Sequence, residues 1–479
     1  MMFEDDDIEH PHEECGVFAI YAPERDVARA AYFGLFALQH RGQESAGIAV
    51  ADGKAIHAFK EMGLVNQVFD EQVIASLKGH IAIGHTRYST TGGSMICNAQ
   101  PLLATDEQLG QFALAHNGNL ANASALRARL IRMGQQFEST SDSEIISAMI
   151  LRAAGSTLAE RVTNVVPFLS AAYSLVLCSS AEVVAVRDPY AVRPLCLGRI
   201  DDSWIIASET CALDILGGQF VRDIAPGEMI VIDGTGESGL HSFRAAEPMQ
   251  PAGCLFEHIY FSRPDSHLGA GSLYSARQRM GVALANEFKV DADLVIAVPD
   301  SAIPAATGYA TARGIPYADG LIKNRYVGRT FIQPDQQLRE RGVRLKFNAL
   351  PDILRGKRVI MIDDSIVRGT TTRQLVQLLR QAGATEVHVG VTSPPFRHPC
   401  YLGIDVAQYN ELIAAQHQGD VSKITQAIAA DSLHYLSLDV LIEATGLPKN
   451  SFCVGCFTGN YPAPIVEDEE QLPILLQNN

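Results

Sequence analysis

The stretch VIMIDDSIVRGTT, from Val359 to Thr371, combines three features that decide the fold around it. Its leading apolar residues predict a buried strand, two adjacent carboxylates end that strand, and a Ser/Gly/Thr loop then opens a helix. Open parallel sheets bind ligands at the carboxyl ends of their strands. We therefore predict that backbone amides and hydroxyls of residues 365–371 bind a phosphate. Asp363 and Asp364 would accept hydrogen bonds from ribose hydroxyls and help to position a divalent ion. The alternative is an Asx-capped turn between strand and helix.

The segments around this stretch repeat the same strand-then-helix order. DLVIAVPD (293–300) precedes SAIPAATGYATARG (301–314), and EVHVGVTS (386–393) follows the helix that begins after the Ser/Gly/Thr loop. Strands that alternate with helices in this way are typical of a parallel, doubly wound sheet.

The first half of the chain has a different pattern. From Cys15 to about residue 245, short β-rich runs are separated by Gly and Asn turns, with helical stretches near residues 121–134 and 143–170. This pattern indicates layered α/β structure with antiparallel sheets. We therefore predict a domain boundary within residues 240–255.

Composition and charge limit the classes of function. The 479 residues are 47% hydrophobic and 19% charged, which favours folded domains over disorder. The net charge of −16, from 38 basic and 54 acidic side chains, argues against a surface for nucleic acid or anionic membranes. Any anionic ligand must therefore be held by local groups. Nine cysteines, a sparse and odd set, predict a reducing, cytoplasmic location.

Two patterns suggest functions that their context does not support. The apolar segment from Val165 to Val186 contains Pro167 and Glu182, so we interpret it as a helix end followed by two strands, not as a membrane span. The sequence GTGESG (234–239) matches a dinucleotide-binding fingerprint, but the LHSFR that follows predicts a returning strand, and hence a hairpin.

VIMIDDSIVRGTT resembles the phosphoribosyl pyrophosphate (PRPP) loop of type I phosphoribosyltransferases. The turn Pro299-Asp300-Ser301 is similar to the pyrophosphate loop of that family, and KNRYVGRTFIQP (323–334) to its mobile basic loop. Mg²⁺ and a few local cations would let a chain of net charge −16 bind this polyanion. The resemblance implies Ser301, Asp363 and Asp364 around Mg²⁺. It implies the following PRPP-binding residues: Ser301, Lys323, Arg325, Arg329, Asp363, Asp364, Ser365, Arg368, Gly369, Thr370 and Thr371.

Cys15 stands directly before the apolar run GVFAI, which alone predicts a buried strand cysteine. Four downstream motifs change that interpretation: QHRGQESAG (39–47), GHTRYST (84–90), HNGN (116–119) and STSDSE (139–144). Together they resemble the N-terminal-nucleophile, or class II, glutamine amidotransferases. The resemblance implies a four-layer αββα domain with Cys15 as the nucleophile.

The resemblance requires Cys15 to become the first residue of the chain. An ordinary thiol, with a pKa near 8.5, is mostly protonated at neutral pH, whereas a free α-amino group, with a pKa of about 7.7 to 8.0, can act as its general base. Cleavage between Glu14 and Cys15 would create that base, so we predict that residues 1–14 are a propeptide.

The remaining roles in this half follow from the resemblance and from the charges of free glutamine. Arg87 would pair with the α-carboxylate and Asp142 with the α-ammonium group, while Arg41 would shape the pocket. The side-chain amide of Asn117 and the backbone N–H of Gly118 would form the oxyanion hole. His85 and His116 are interpreted as structural.

Cys453-Val-Gly-Cys456 is a C-x-x-C pair, which alone fits redox, zinc or iron–sulfur chemistry. A likeness to the iron–sulfur, propeptide-bearing branch of the amidophosphoribosyltransferase family adds Cys254 and Cys400. That family implies a [4Fe-4S] cluster that ties residues near 254 to the C-terminal region, and zinc is the alternative occupant of four thiolates. The other cysteines are interpreted as inert: Cys97, Cys178, Cys196 and Cys211.

The resemblances of the two halves together imply an enzyme that moves ammonia from glutamine to PRPP, giving 5-phosphoribosylamine, glutamate and pyrophosphate, the first committed step of purine synthesis. The predicted domains are a propeptide (1–14), a class II glutamine amidotransferase domain (15–245) and a phosphoribosyltransferase domain with the C-terminal cysteines (246–479). The family also implies a homotetramer inhibited by purine nucleotides. Three alternatives stay open: an enzyme that aminates sugar phosphates, a PRPP-sensing regulatory protein without glutaminase activity, and an unprocessed precursor that uses free ammonia.

Overall fold

The computed structural model describes most of the chain: residues 15–88, 93–235, 239–269, 271–324, 343–404 and 408–465. Several sequence predictions lie outside these residues: the propeptide 1–14, residues 325–334 of the predicted mobile basic loop, and with them Arg325 and Arg329.

Two antiparallel sheets form the centre of the first half. In spatial order, the seven-stranded sheet contains Gln219–Asp223, Cys196–Ile200, Ser203–Ala207, Gly16–Tyr21, Ile81–Arg87, Ser45–Ala51 and Ile56–Met62. The six-stranded sheet contains Leu240–Arg244, Glu228–Ile232, Val183–Arg187, Ala171–Cys178, Gly110–Leu120 and Leu102–Asp106.

Alternation of side chains along these strands produces the layers of the first half. Residues such as Val17, Ile83 and Val176 form an apolar core between the two sheets. The outer face of each sheet packs on helices. The predicted four-layer αββα arrangement is therefore confirmed. The helices of this half are Val27–Ala37, Val65–Val68, Glu71–Ser76, Ala123–Arg132, Asp142–Arg152, Leu158–Val165 and Cys211–Asp214, with 3₁₀ turns at Ile96–Asn98 and Val166–Phe168.

The helical stretch predicted over residues 143–170 is divided in the structure. One helix ends at Arg152, and the next begins at Leu158. Gly155 lies between them with a backbone φ of +142°, a value that residues other than glycine rarely adopt. Thr157 then caps the second helix by accepting a hydrogen bond from Glu160 N. Local turn chemistry therefore interrupts the apolar periodicity.

A parallel four-stranded sheet organises the second half. Its strands lie in the order Leu294–Ala297, Arg358–Asp363, Glu386–Val391 and Ser432–Tyr435, which confirms the predicted strand-then-helix units. Separate apolar cores cover the two faces of this sheet. The helices are Leu273–Glu287, Ile303–Arg313, Pro351–Leu354, Thr370–Gln381, Ile413–Gln416, Val421–Ala427, Leu438–Thr445 and Gly455–Thr458.

Two small sheets complete the second half. Leu321–Lys323 pairs antiparallel with Phe347–Ala349. Gly253–Cys254 pairs in parallel with Phe452–Cys453, so the start of this half is joined directly to its C-terminal region. A five-residue π-helical turn, Glu257–Phe261, follows the first of these strands.

Two of the sequence predictions on misleading motifs are confirmed. Ala171–Cys178 and Val183–Arg187 are neighbouring strands, and among the residues that the structure describes no helix is long and apolar enough to cross a membrane. The strand Leu240–Arg244 returns antiparallel beside Glu228–Ile232, as the hairpin prediction requires.

Candidate active sites in the two halves

Cys15 lies immediately before the central strand Gly16–Tyr21 and is buried, with 6% of its surface exposed. Its thiol donates a hydrogen bond to the carbonyl oxygen of Tyr88, at 3.4 Å. Burial raises the pKa of the Cys15 thiol to about 11, although the charge of Arg87 acts in the opposite direction. In the chain with residues 1–14 attached, the thiol is therefore protonated at neutral pH.

Charged side chains from three parts of the sequence surround this thiol. Arg87, Glu44 and Asp142 all act electrostatically on Cys15. Arg87 ends the strand beside Gly16–Tyr21 and is buried, with its Nη1 donating to Glu44 Oε2 at 3.3 Å and to the carbonyl oxygen of Gly93 at 3.3 Å. The structure thus brings the residues predicted to bind the two charged ends of glutamine to one site.

Asp142 is the first residue of the helix Asp142–Arg152 and is 4% exposed. Its Oδ2 accepts a hydrogen bond from Leu120 N at 3.0 Å, and its Oδ1 lies 3.6 Å from His116 Nδ1. Burial opposes ionisation of Asp142, but His116 and the backbone N–H groups of Leu120 and Ser143 outweigh it, so its pKa lies below the usual carboxyl value. The group is a carboxylate at neutral pH, as a partner for an ammonium group must be.

The proposed oxyanion donors lie in the long strand Gly110–Leu120. The side-chain nitrogen of Asn117 is buried and has no hydrogen-bond partner among the described residues. Gly118 has φ +147, and a Cβ there would lie 2.1 Å from the carbonyl oxygen of Ala172. Only glycine therefore fits this position. An unused buried N–H donor beside a glycine with unusual backbone geometry is consistent with a site that receives a developing oxyanion.

Arg41 is placed differently from the simple pocket role predicted for it. Its Nε donates to the carbonyl oxygen of Cys15 at 3.1 Å. Its Nη1 donates to Glu209 Oε1 at 2.5 Å, and its Nη2 donates to Glu257 Oε1 at 2.6 Å. Arg41 therefore contacts the nucleophile through the backbone and also connects the two halves of the chain.

The PRPP-site residues gather at the carboxyl edge of the parallel sheet. Asp363 ends the strand Arg358–Asp363, and Asp364 follows it, both nearly fully buried. Ser301 Oγ donates to Asp364 Oδ2 at 2.5 Å, and Ser365 Oγ donates to Asp364 Oδ1 at 2.7 Å. The two predicted loops therefore meet at one group of hydroxyl and carboxylate oxygens.

The Ser/Gly/Thr loop opens the helix Thr370–Gln381, as the sequence predicts. Gly369 caps this helix with φ +80, and a Cβ there would lie 2.3 Å from Ile413 Cδ1. Arg368 forms an ion pair with Glu411, with Nη2 and Oε2 3.1 Å apart. The loop is thus fixed by packing on the segment around residue 413.

Lys323, at the end of the strand Leu321–Lys323, lies at the same edge of the sheet. Its Nζ donates to Asp300 Oδ2 at 2.8 Å. A cation is thereby held beside the predicted pyrophosphate loop.

Four cysteines predicted to act together are brought close to one another. Cys254 pairs in register with Cys453, and Cys456 interacts electrostatically with Cys254, Cys400 and Cys453. All four are free, and they belong to or pack against a single apolar core. Among the residues described by the structure, no group of three or more His, Cys, Asp or Glu side chains forms a site for a metal ion. In an iron–sulfur cluster each thiolate binds a different iron atom, so the four sulfur atoms need not converge on a single ion.

Sequence reasoning missed three buried charged residues near these sites: Glu209, Glu257 and Arg277. Glu257 and Arg277 lie in a turn and a helix whose other buried residues are mostly apolar. A carboxylate inside the apolar run CLFEHIYF was a usable signal, because buried acidic residues require a partner.

Comparison with protein families gives one match in each half. The model of the glutamine amidotransferase domain matches residues 85–214. The model of the phosphoribosyl transferase domain matches residues 279–405. The order of the two domains is the one that the motifs predict.

Individual relatives match nearly the whole chain. The amidophosphoribosyltransferase of Synechococcus elongatus is 51% identical over 475 residues, covering 98% of this chain and 95% of its own. That of Bacillus subtilis is 47% identical, covering 95% and 96%. A solved structure described as the B. subtilis glutamine PRPP amidotransferase complexed with ADP and GMP superposes with a TM-score of 0.89 at 46% identity, covering 95% of this chain and 98% of that one.

Proposed function

The chain belongs to the amidophosphoribosyltransferase family, and from that membership we propose which of its residues carry out the reaction. The enzyme transfers ammonia from glutamine to PRPP, giving 5-phosphoribosylamine, glutamate and pyrophosphate in the first committed step of purine biosynthesis. We assign glutamine hydrolysis to a domain over residues 15–245 and transfer to PRPP to residues 246–479.

Cys15 attacks the glutamine amide once residues 1–14 have been removed. The observation that supports this assignment best is that Arg87 and Asp142 lie near enough to Cys15 for both to act electrostatically on its thiol. Asp142 holds the α-ammonium group and Arg87 the α-carboxylate, which fixes the amide carbon next to the sulfur. The new α-amino group takes the thiol proton, because the buried thiol does not ionise by itself at neutral pH.

Asn117 and Gly118 stabilise the tetrahedral intermediate. The side-chain N–H of Asn117 and the backbone N–H of Gly118 donate to the oxygen of the former amide carbonyl as its negative charge develops. The α-ammonium group of Cys15 returns its proton to the leaving nitrogen, so collapse of the intermediate releases ammonia, and water then hydrolyses the thioester to glutamate. The buried and unpartnered nitrogen of Asn117 supports this role.

PRPP binds at the carboxyl edge of the parallel sheet. Asp363 and Asp364 accept hydrogen bonds from the ribose hydroxyls, and residues 365–371 bind the 5-phosphate at the helix N-terminus. Lys323, Arg325 and Arg329 bind the diphosphate and Arg368 supports the loop. Ammonia then displaces pyrophosphate from C1.

The oxygen atoms of Ser301, Asp363 and Asp364 fit Mg²⁺, a hard cation that binds to one or two carboxylates together with substrate phosphates. When bound, Mg²⁺ would neutralise charge on the departing pyrophosphate. Because substrate and water supply most of its ligands, the protein itself need not form a complete cage.

Cys254, Cys400, Cys453 and Cys456 fit a [4Fe-4S] cluster, since none of these four thiols forms a disulfide and all lie in or against one apolar core. The cluster would cross-link Gly253–Cys254 to the region of Cys400 and to the C-terminal C-x-x-C pair. Its contribution in this position is structural.

Regulation, assembly and location are inferred from relatives and composition. The B. subtilis relative bound to ADP and GMP supports inhibition of this enzyme by purine nucleotides. We further propose a cytoplasmic homotetramer, with neither a nucleic acid nor a membrane as partner.

The test is glutamate release by anaerobically purified protein, with and without PRPP and Mg²⁺, with 5-phosphoribosylamine measured in the same samples. We expect release to rise with PRPP and the amine to form. Synthesis from free ammonia without glutaminase activity would mean that Cys15 is not the free N-terminus. Absence of reaction with either nitrogen source would contradict the assignment of the active sites.

A further inference from the structure

Arg41 joins the two halves of the chain at a point deep inside the molecule. Arg41, Glu209 and Glu257 are 1%, 0% and 2% exposed, respectively. Arg41 belongs to the glutaminase half, as does Glu209, whereas Glu257 opens the π-helical turn of the other half. The carboxylate of Glu257 accepts two hydrogen bonds from Arg41, one from Nη1 at 3.0 Å and one from Nη2 at 2.6 Å. This bidentate geometry fixes direction as well as distance.

The same guanidinium reaches the backbone of the nucleophile. Its Nε donates to the carbonyl oxygen of Cys15 at 3.1 Å. A change in the position of Glu257 therefore acts on Cys15 through one side chain.

Glu209 has several hydrogen-bond donors besides Arg41. Besides Arg41 it accepts hydrogen bonds from His40 Nε2 at 2.7 Å, Arg263 N at 2.9 Å and Ser266 Oγ at 2.7 Å. Because Arg263 and Ser266 belong to the second half, Glu209 also contacts both halves of the chain. Glu257 also accepts a hydrogen bond from Ser262 Oγ, in the residue after its own turn, and Arg193 acts on it electrostatically.

The turn that carries Glu257 is held by a second buried arginine. Arg277, in the helix Leu273–Glu287, donates to the carbonyl oxygens of His258 at 3.0 Å, Tyr260 at 3.0 Å and Ser262 at 2.7 Å. The carboxylate of Asp364, at the PRPP edge, acts electrostatically on Arg277. Arg277 thus holds the turn that carries Glu257 and feels the charge of Asp364, and Glu209 and Glu257 also act on it electrostatically.

We propose that Glu257 is a positioning residue through which occupancy of the PRPP site orients Cys15 for attack on glutamine. The proposal rests on the function assigned above to Cys15 and to Asp364. When PRPP and its divalent ion bind at Asp364, they change the charge that faces Arg277. The arginine and the turn that it holds then settle into a different position, and the Glu257–Arg41 pair carries that change to the Cys15 carbonyl. Coupling of this kind requires that the empty and the occupied PRPP site interact differently with Arg277. The charge on Asp364, which PRPP and its divalent ion would change, provides that difference.

The test compares Glu257→Gln with the wild-type enzyme in the full, processed chain. Glutamine keeps the volume of the side chain and one acceptor but removes the charge that holds Arg41. We expect PRPP to stimulate glutaminase activity at least about 5-fold less in the variant than in the wild type. Synthesis from free ammonia, which does not use Cys15, should stay within about 2-fold of the wild-type rate.

A second readout follows the nucleophile itself. In the wild type, PRPP with Mg²⁺ should accelerate alkylation of Cys15 by a chloroketone analogue of glutamine. In Glu257→Gln, the alkylation rate should be the same with and without PRPP and Mg²⁺. Glu209→Gln is the matched control, because it alters the other carboxylate on the same arginine. That variant should lower glutaminase activity while keeping the stimulation by PRPP.

The outcomes separate this proposal from the assigned function. Full stimulation by PRPP in Glu257→Gln, with normal acceleration of alkylation, would overturn the proposal. Absence of glutaminase activity in the wild type would instead contradict the role of Cys15. If Glu257→Gln does not fold, Ser262→Ala decides the matter in the same assays, since it loosens Glu257 without leaving a buried charge unpaired, and it should lower the stimulation.

Discussion

The thiol of Cys15 illustrates how one residue depends on its surroundings for reactivity. Burial raises the pKa of this thiol to about 11, well above that of an ordinary thiol. Because the thiolate is the reactive form, a pKa two units higher leaves about 100-fold less of it at pH 7. We predict that Cys15 is alkylated slowly by iodoacetamide in the uncleaved chain, at a rate that keeps rising as the pH approaches about 11. Mass spectrometry of the Cys15 peptide measures this rate.

The exposed Cys97 provides an internal reference in the same sample. Removal of residues 1–14 should accelerate labelling of Cys15 near pH 8, where the new α-amino group loses its proton, and leave labelling of Cys97 unchanged. Rapid labelling of Cys15 at pH 7 before cleavage would contradict the prediction.

Asp142 allows a second prediction at this scale. Its carboxylate is buried and ionised, so it can pair with the α-ammonium group of glutamine in a site of low polarity. Asp142→Asn removes that charge. We expect KM for glutamine to rise about 100-fold, which corresponds to about 3 kcal/mol of lost binding. Steady-state kinetics with ammonia as the nitrogen donor serve as the control and should be unaffected; an unchanged KM for glutamine would exclude the assigned role.

At the scale of elements, the turn before the helix Thr370–Gln381 requires glycine for two reasons. Gly369 has φ +80, and a Cβ would lie 2.3 Å from Ile413 Cδ1. Gly369→Ala should therefore cost about 1–2 kcal/mol in backbone conformation and should also push the loop away from Ile413. We expect KM for PRPP to rise about 10-fold with either glutamine or ammonia as donor.

Gly356 is a matched control for this substitution. It has a similar φ of +72, but a Cβ would meet nothing within 4 Å. Gly356→Ala should lower the unfolding temperature through the same backbone strain and leave KM for PRPP unchanged. A Gly369→Ala enzyme with normal KM would show that the loop does not bind PRPP in this conformation.

The sequence predicts elements well where the signal is local. VIMIDD followed by a Ser/Gly/Thr loop specifies a strand, a turn and a helix by periodicity and turn chemistry, and the structure contains all three. The break at Gly155 was missed because the apolar period continues across it. The contact between Arg41 and Glu257 could not be predicted, because it joins residues 216 positions apart, and no local pattern specifies which distant charges will meet.

At the scale of the whole molecule, the segment after Cys400 connects the cysteine quartet to the glutaminase half. Asn119 Nδ2 donates to the carbonyl oxygen of Tyr401 at 3.0 Å, and Arg193 Nε donates to that of Leu402 at 3.1 Å. A Cβ at Gly403 would lie 3.1 Å from the carbonyl carbon of Gly118. The strand with the proposed oxyanion donors therefore packs directly against a segment that begins at a proposed cluster ligand.

These contacts predict that substitution of Cys400 lowers glutaminase activity. Cys400→Ala should lower the iron and sulfide content of anaerobically purified protein and reduce its unfolding temperature by about 10 °C, because metal binding contributes directly to folding. Glutaminase activity should fall more than ammonia-dependent synthesis, since Gly118 loses the packing that fixes its N–H. The control is Cys97→Ala, which alters an exposed cysteine outside the quartet. If Cys400→Ala kept its iron and its unfolding temperature, the quartet would not hold a cluster, and the connection between the halves would depend on hydrogen bonds alone.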